Sequence, residues 1–148
     1  LMRVNLTTLT LLALLVISFG AWTYVTDSTR ERELIASTVL ARQRIVSEVR
    51  LRSALAGAEN TRQGWVHRID PAWFPEGRPL NPWFLNPDRN WIDVDVRADS
   101  ARFDPDSIDT SRHAAGWWYN PANGIIRARV PAQNTSRATL ELYESVNR

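Results

Sequence analysis

The chain has 148 residues, enough for about one domain. It contains no cysteine, which excludes disulfide bonds, thiolate metal sites and cysteine nucleophiles. Its 18 basic residues are all arginine and stand against 16 acidic residues, for a net charge of +2. The arginines are interleaved with the acids rather than clustered, so we expect no nucleic-acid partner.

An uncharged and mostly apolar run extends from Val4 to Val25. As a helix this run would be roughly 33 Å long, enough to cross the core of a bilayer. A cleaved secretory signal has a shorter apolar region of about 7–15 residues and a small-residue cleavage motif, which this run lacks. Trp22 and Tyr24 stand near its carboxyl end, where interfacial aromatic residues are common. We therefore predict a retained transmembrane helix within residues 1–25.

A second helical segment is predicted over residues 26–57. From Thr26 to Ala56 there is no proline or glycine, and good helix formers dominate. Apolar residues recur there at near-helical spacing among arginine and glutamate. They are Ile35, Val39, Val46, Val49 and Ala56. With Gly57 as a natural end, the pattern predicts one helix over residues 1–56, apolar on all sides in its first half and amphipathic in its second.

The next region, residues 58–90, has the composition of loops. It is rich in proline, asparagine, glycine and tryptophan, which predicts irregular structure with short ordered pieces. Six of the seven tryptophans follow residue 64. Large rings can compensate for a small core, but they also suit a sugar-binding platform or a subunit interface. We favour core and loop-pinning roles, and Trp73, Trp83 and Trp118 are the candidates for an interface.

Residues 91–148 are predicted to form a small antiparallel sheet. The stretch WIDVDV alternates apolar residues with aspartate, as in a half-buried strand. Two further strands are predicted at Trp117–Tyr119 and Ile125–Val130, joined by a loop that ends in Asn-Gly. Alternation in ATLELYESV predicts a last strand. The expected fold class is α+β, with a long amino-terminal helix packed on this sheet.

Two motifs follow the long helix: RIDPAWFPEGRPLNPW from Arg68 to Trp83, and GWWYNPANGIIRARV from Gly116 to Val130. With that helix, they resemble the type IV pilin and type II secretion pseudopilin family. The first motif is similar to the segment after the pilin helix, which usually closes on Asp-Pro-Trp where this chain has Asn-Pro-Trp. The second is similar to the hairpin of the pilin sheet. The resemblance covers nearly the whole chain by architecture and only these two segments by motif.

The resemblance implies a divergent structural subunit of a surface filament, a helical homopolymer built by packing of amino-terminal apolar helices. Its implied partners are further copies of itself, the pilus or secretion assembly machinery, and the inner membrane before export into an extracellular filament. Leu1 would be the processed amino terminus. Asn5 stands where the family usually has a glutamate that meets a neighbouring amino group, so Arg3 and Asn5 would set assembly contacts. Gly20 would be the flexible point in place of a helix-kinking proline.

Reactive or metal-binding residues form no strong motif. Asp104, Asp106 and Asp109 are weak calcium candidates because their segment lacks the glycine and terminal glutamate of an EF-hand loop, so we expect no cofactor. His67 and His113 are the only histidines, and no GxSxG, HExxH or glycine-rich phosphate motif occurs. We therefore expect that the protein is not an enzyme. The alternatives are a non-polymerising single-span membrane protein with a small extracytoplasmic binding domain, and a membrane-tethered hydrolase that uses one of the histidines.

Overall fold

The structure is a computed structural model, and it describes residues 6–55, 60–86, 88–95 and 115–148; within residues 6–25, it describes side chains only for residues 12–18. The elements in chain order are α1 (Leu6–Ala54), a 3₁₀-helix (Pro71–Trp73), β1 (Ile92–Val94), β2 (Trp117–Asn120), β3 (Ile125–Ala128) and α2 (Ser136–Asn147). This confirms an α+β fold. The chain divides into two compact units, which we call the amino-terminal unit (Leu1–Leu34) and the carboxy-terminal unit (Ile35–Arg148).

The helix α1 has 49 residues and confirms the predicted long helix. The absence of proline and glycine after Gly20 explains why nothing interrupts it as far as Ala54. The predicted end at Ala56 and Gly57 lies outside the described residues. Across the described segments of the chain, we find no helix that combines the length and the apolar character needed to cross a membrane.

In the carboxy-terminal unit, α1 buries one face. Thr38, Ile45 and Val49 are fully buried, and their spacing of seven and four residues places them on the same side of the helix. Ile45 and Val49 join the hydrophobic core, and burying each contributes roughly 1.5–3 kcal/mol. Leu40 and Leu51 lie on the opposite face and are 65% and 53% exposed. The predicted amphipathic character is therefore confirmed for this part of α1.

The sheet has the strand order β1-β2-β3, with β2 in the middle. β2 and β3 pair antiparallel, whereas β1 and β2 pair parallel, with Ile92 opposite Trp117. The prediction of an antiparallel sheet is therefore wrong for β1, and the sheet is mixed. A parallel pair needs a connection of about a dozen residues or more, and residues 95–116 supply one between these strands.

The β2–β3 hairpin confirms the two predicted strands and the role of the Asn-Gly pair in their turn. Gly124 has a φ of +71°, which favours glycine, and its amide donates to the Asn120 carbonyl at 2.8 Å. A β-carbon at this position would lie 2.3 Å from the ring of Trp65. The turn therefore requires glycine both for its backbone conformation and for the close approach of Trp65.

The last predicted strand is wrong, because ATLELYESV belongs to α2. The helix begins after Thr135, whose hydroxyl accepts a hydrogen bond from the Ala138 amide at 3.1 Å as an N-cap. Its buried residues follow helical rather than alternating spacing. They are Thr139, Leu142, Tyr143, Val146 and Asn147. The segment is too short for its sequence to distinguish the two-residue period of a strand from the 3.6-residue period of a helix.

The end of α2 is fastened to β3 by the side chain of Asn147. Its Oδ1 accepts from the Ala128 amide at 2.7 Å, and its Nδ2 donates to the Ala128 carbonyl at 2.8 Å. Two arginines donate to the last helix carbonyls: Arg127 to Asn147 at 2.9 Å, and Arg42 of α1 to Arg148. Burial, with a smaller contribution from the positive charge of Arg127, lowers the pKa of Arg42.

Candidate assembly surface

An apolar surface is exposed on α1 in the amino-terminal unit, over residues 12–18. All seven consecutive side chains are exposed, and Ser18 is the only polar one. The large ones are between 62% and 68% exposed: Leu12, Leu14, Leu15, Val16 and Ile17. Seven consecutive residues of a helix point in all directions around its axis. The surface is therefore apolar on all sides, as the sequence predicts, and it lacks the single apolar stripe of a helix packed on one partner.

Such a surface is a strong candidate for contact with other molecules. Fully burying one large aliphatic side chain contributes roughly 1.5–3 kcal/mol, so five of them represent roughly 7–15 kcal/mol of apolar burial. Contiguous exposed apolar patches commonly mark sites of protein or membrane contact. The five residues that carry charge soon after this surface are exposed and include both signs: Asp27, Arg30, Glu31, Arg32 and Glu33. They mark the end of the apolar stretch along α1.

In the carboxy-terminal unit, two tryptophans fasten the loop region to the sheet. The indole nitrogens of Trp91 and Trp117 both donate to the carbonyl oxygen of Pro79, at 2.7 and 3.0 Å. Trp117 is fully buried in β2, and Trp91 lies just before β1. One buried carbonyl thus anchors two large rings. This arrangement confirms the predicted core and loop-pinning role for these two residues.

Asn81 is a second anchor of the loop region and is 2% exposed. Its Nδ2 donates to the carbonyls of Gly116 at 2.7 Å and Arg129 at 2.9 Å, while its Oδ1 accepts from the amide of Trp83 at 3.1 Å. An ionised aspartate has no N–H to donate to these carbonyls, which explains an asparagine in the Asn-Pro-Trp motif of this chain. Gly116 is tightly apposed, because a β-carbon there would lie 2.9 Å from Asn81 Cβ.

The three tryptophans predicted as interface candidates differ in accessibility. Trp118 is 4% exposed and belongs to the buried central strand β2, so its side chain leaves almost no surface for an interface. Trp73 and Trp83 are half-buried and pack against the core while keeping some exposed surface. The guanidinium of Arg52 lies 5.5 Å from the ring centre of Trp73, in cation–π contact. Only Trp73 and Trp83 therefore remain candidates.

Most of the other predicted site residues lie outside the described residues. These are Leu1, Arg3 and Asn5, the calcium candidates Asp104, Asp106 and Asp109, and His113. Gly20 lies within α1, and His67 lies exposed in the loop region. The described ranges contain no group of three histidine, aspartate or glutamate residues placed to hold a metal ion.

The chain thus has two distinct features: an exposed apolar helical surface in the amino-terminal unit, and a loop region anchored by amide and indole hydrogen bonds in the carboxy-terminal unit. The sequence does not identify Asn81 and Asn147 as anchoring residues, because no local pattern marks an amide whose partners are distant in the chain. Neither feature specifies a substrate. No protein-family model, curated protein or solved structure matches the chain.

Proposed function

We propose that the protein is a structural subunit of a pilin-like filament in which copies of α1 pack through residues 12–18. The observation that carries the proposal is the exposure of five large aliphatic side chains on all sides of this helix segment. A helix that is apolar on all sides suits the interior of a bundle, where neighbours surround it. The resemblance of the two sequence motifs to pilins and pseudopilins supports the same function.

The proposed route to the filament begins in the inner membrane. This step is based on the uncharged sequence from Val4 to Val25. Assembly machinery would move the helix into an extracellular bundle, where lipid contacts are exchanged for protein contacts. Apolar burial changes little in that exchange, so close packing and hydrogen bonds between helices must favour the bundle. Ser18 and the threonines of the same helix can supply such bonds.

The carboxy-terminal unit has a different proposed task. Its core includes Ile45 and Val49 of α1, so the globular part is held by the same helix that carries the apolar surface. Trp73 and Trp83 keep partly exposed rings and are the proposed contacts between neighbouring copies. Aromatic rings are over-represented in protein interfaces because they contribute a large contact area at low conformational cost.

Substitution of Val16 by arginine tests the proposal. A charge inside a bundle of apolar helices costs several kcal/mol unless it is paired, so we expect at least about a tenfold loss of filaments in sheared surface material viewed by electron microscopy. The matched control is Leu140→Arg, because Leu140 is, like Val16, an exposed aliphatic residue of a helix, 47% accessible, but lies on α2. This control should keep wild-type filament levels. Wild-type protein found only as a membrane monomer would favour the non-polymerising single-span protein.

The absence of cysteine allows a second test that does not perturb charge. In Ile17→Cys, mild oxidation of isolated filaments should link neighbouring copies, because copies of residue 17 would lie close together in the bundle. In Leu140→Cys, the same treatment should give mostly unlinked chains. Filaments in which Ile17→Cys remains unlinked would contradict packing through residues 12–18. Mass spectrometry of the same material identifies the mature amino terminus and tests the assignment of Leu1.

A further inference from the structure

The β2–β3 turn contains a pair of residues with a covalent chemistry of its own. Asn123 is the only asparagine of the chain that is followed by glycine. A main-chain amide nitrogen can attack the side-chain carbonyl carbon of the asparagine before it. A glycine in the second position hinders this attack least, because it has no side chain. The pair Asn123-Gly124 is therefore where the sequence best permits spontaneous deamidation.

This deamidation needs only the chain itself and water. The nitrogen of Gly124 forms a bond to Cγ of Asn123, and the bond from Cγ to Nδ2 breaks. Nδ2 leaves as ammonia and takes the proton of the Gly124 amide with it. Water then opens the succinimide ring that remains. Opening at Cγ gives aspartate, whereas opening at the main-chain carbonyl carbon gives isoaspartate, in which the side-chain methylene becomes part of the main chain.

The folded hairpin opposes the first step of this reaction. The nitrogen of Gly124 must leave its hydrogen bond to the Asn120 carbonyl, 2.8 Å long, and approach Cγ of Asn123. The carboxamide of Asn123 is held in one orientation, because its Oδ1 accepts from the Ile125 amide at 3.0 Å. The ring of Trp65 lies so close to Gly124 that an added β-carbon would be 2.3 Å from it. The peptide unit between Asn123 and Gly124 therefore has little room to move.

Trp65 is itself fastened to the hairpin on both sides along the chain. On one side, the amide of Thr61 donates to the Trp65 carbonyl at 2.7 Å, and its hydroxyl donates to the carbonyl of Pro121 at 3.2 Å. On the other side, the carbonyl of Val66 accepts from the hydroxyl of Tyr119 at 2.6 Å. Since Tyr119 belongs to β2 and Pro121 follows it, the ring can leave the turn only when these contacts to the hairpin loosen.

We propose that Asn123 is a deamidation site that Trp65 keeps closed in the folded protein, and that the site opens when residues 60–66 detach from the hairpin. The isoaspartate product lengthens the main chain of the turn, so a chain that has reacted cannot restore the original pairing of β2 and β3. The site thus converts a transient local opening into a permanent change of the chain. The proposal does not depend on filament assembly.

Peptide mapping by mass spectrometry measures the reaction, because deamidation replaces an amide by an acid. The full chain in a mild non-ionic detergent is incubated at mildly alkaline pH, once folded and once in concentrated guanidinium chloride. We expect Asn123 to react at least about tenfold more slowly in the folded protein, since the opening that exposes it costs free energy. Exposed Asn134, which is followed by threonine, is the internal reference and should react slowly in both states. Equal rates at Asn123 in the two states overturn the proposal.

Substitutions in the loop region test the role of Trp65. Trp65→Ala should raise the rate in the folded protein about tenfold or more, because the ring no longer covers the turn. The matched control is Trp83→Ala, since Trp83 is also a half-buried tryptophan that packs against the core, and it should raise the rate less than about threefold. Equal acceleration by both substitutions would show that general unfolding controls the reaction and would overturn the proposal.

Thr61→Val provides a milder test that keeps the ring in place. It removes the hydroxyl that donates to Pro121, so residues 60–66 should detach about two- to tenfold more often, and the rate at Asn123 should rise by the same factor. Urea denaturation of each variant confirms that the protein is folded under the conditions of the assay. If Thr61→Val is folded and its rate at Asn123 equals that of the wild type, detachment of this segment does not control the site, and the proposal fails.

Discussion

Two stretches of the same helix use their apolar residues in opposite ways. In α1, Ile17 is 67% exposed within a surface that is apolar on all sides, whereas Ile45 is fully buried on the single inward face of the carboxy-terminal unit. Both are isoleucines in regular helical structure. The difference shows that apolar content alone does not locate a core. The period of the apolar residues does, because only a one-sided pattern matches a core that lies on one side.

Substitution of these two isoleucines by alanine should give the largest difference. Ile45→Ala removes buried methyl and methylene groups and should lower the free energy of unfolding of the carboxy-terminal unit by about 2–5 kcal/mol. Ile17→Ala should lower it by less than about 0.5 kcal/mol, because exposed positions contribute little to folding. Chemical denaturation followed by tryptophan fluorescence measures both. Equal effects of the two substitutions would contradict the distinction between an exposed segment at Ile17 and a core segment at Ile45.

Asn81→Ala should have the next largest effect, and it tests whether the loop region belongs to the cooperative fold. The change leaves the buried carbonyl of Gly116 and the partly buried carbonyl of Arg129 with fewer hydrogen bonds and frees the Trp83 amide, so we expect a loss of about 2–4 kcal/mol. Asn86→Ala is the control, since Asn86 is exposed and its side chain accepts a local bond from the Asp88 amide at 3.0 Å. Its cost should stay below about 1 kcal/mol in the same denaturation experiment. A control as costly as Asn81→Ala would contradict the anchoring role.

Two glycines with positive φ allow a comparison between backbone strain alone, at Gly77 in the loop region, and strain combined with a steric clash, at Gly124 in the hairpin turn. Gly77 has a φ of +100°, and a β-carbon there would meet no atom of the described residues within 4 Å, so Gly77→Ala should cost about 1 kcal/mol. Gly124→Ala adds a clash with the ring of Trp65 and should cost about 2–3 kcal/mol. The difference in denaturation midpoint between these variants reports the rigidity of Trp65. Equal costs would show that this ring moves aside freely.

The smallest expected effect concerns pH and the buried phenol of Tyr119. Its hydroxyl donates to the Val66 carbonyl at 2.6 Å, and burial raises its pKa well above the ordinary value. The unfolded chain ionises near pH 10, whereas the folded protein keeps the proton, so stability falls as pH rises above about 10. The fall cannot exceed about 1.4 kcal/mol per pH unit for one group. Tyr119→Phe should reduce this fall of stability with pH, which urea denaturation between pH 9 and about 11 measures. If the free energy of unfolding of the variant falls as steeply as that of the wild type, groups other than Tyr119 cause the fall.

The parts of the fold that the sequence predicts are those with a long local pattern. The helix α1 has dozens of residues without a helix breaker, and the β2–β3 turn carries its own Asn-Gly signal. The segment LELYE predicts a strand where the structure has α2, because its alternation covers too few residues to reveal the helical period. The parallel pairing of β1 with β2 has no local sequence signal. The long connection over residues 95–116 permits this pairing but does not require it.

The candidate surfaces show the same limit of local information. The exposed apolar run of residues 12–18 could be predicted, because it depends on composition alone. The accessibility of Trp118 could not, because β2 is buried on both faces and its neighbours are supplied by distant parts of the chain. The hydrogen bonds of Asn81 likewise join residues that lie 35 and 48 positions apart. Such contacts become visible only when the fold is known.

The side chain of Asn147 has a consequence for aggregation. β3 is the outer strand of the sheet, and its free edge would otherwise present the N–H and C=O of Ala128 to any extended chain nearby. The amide of Asn147 satisfies both groups, in the way that one residue of an added strand would. The sheet is therefore blocked at this point against growth by strand addition. A protein proposed to polymerise through its helices is thus protected, along this edge, from polymerising through its strands.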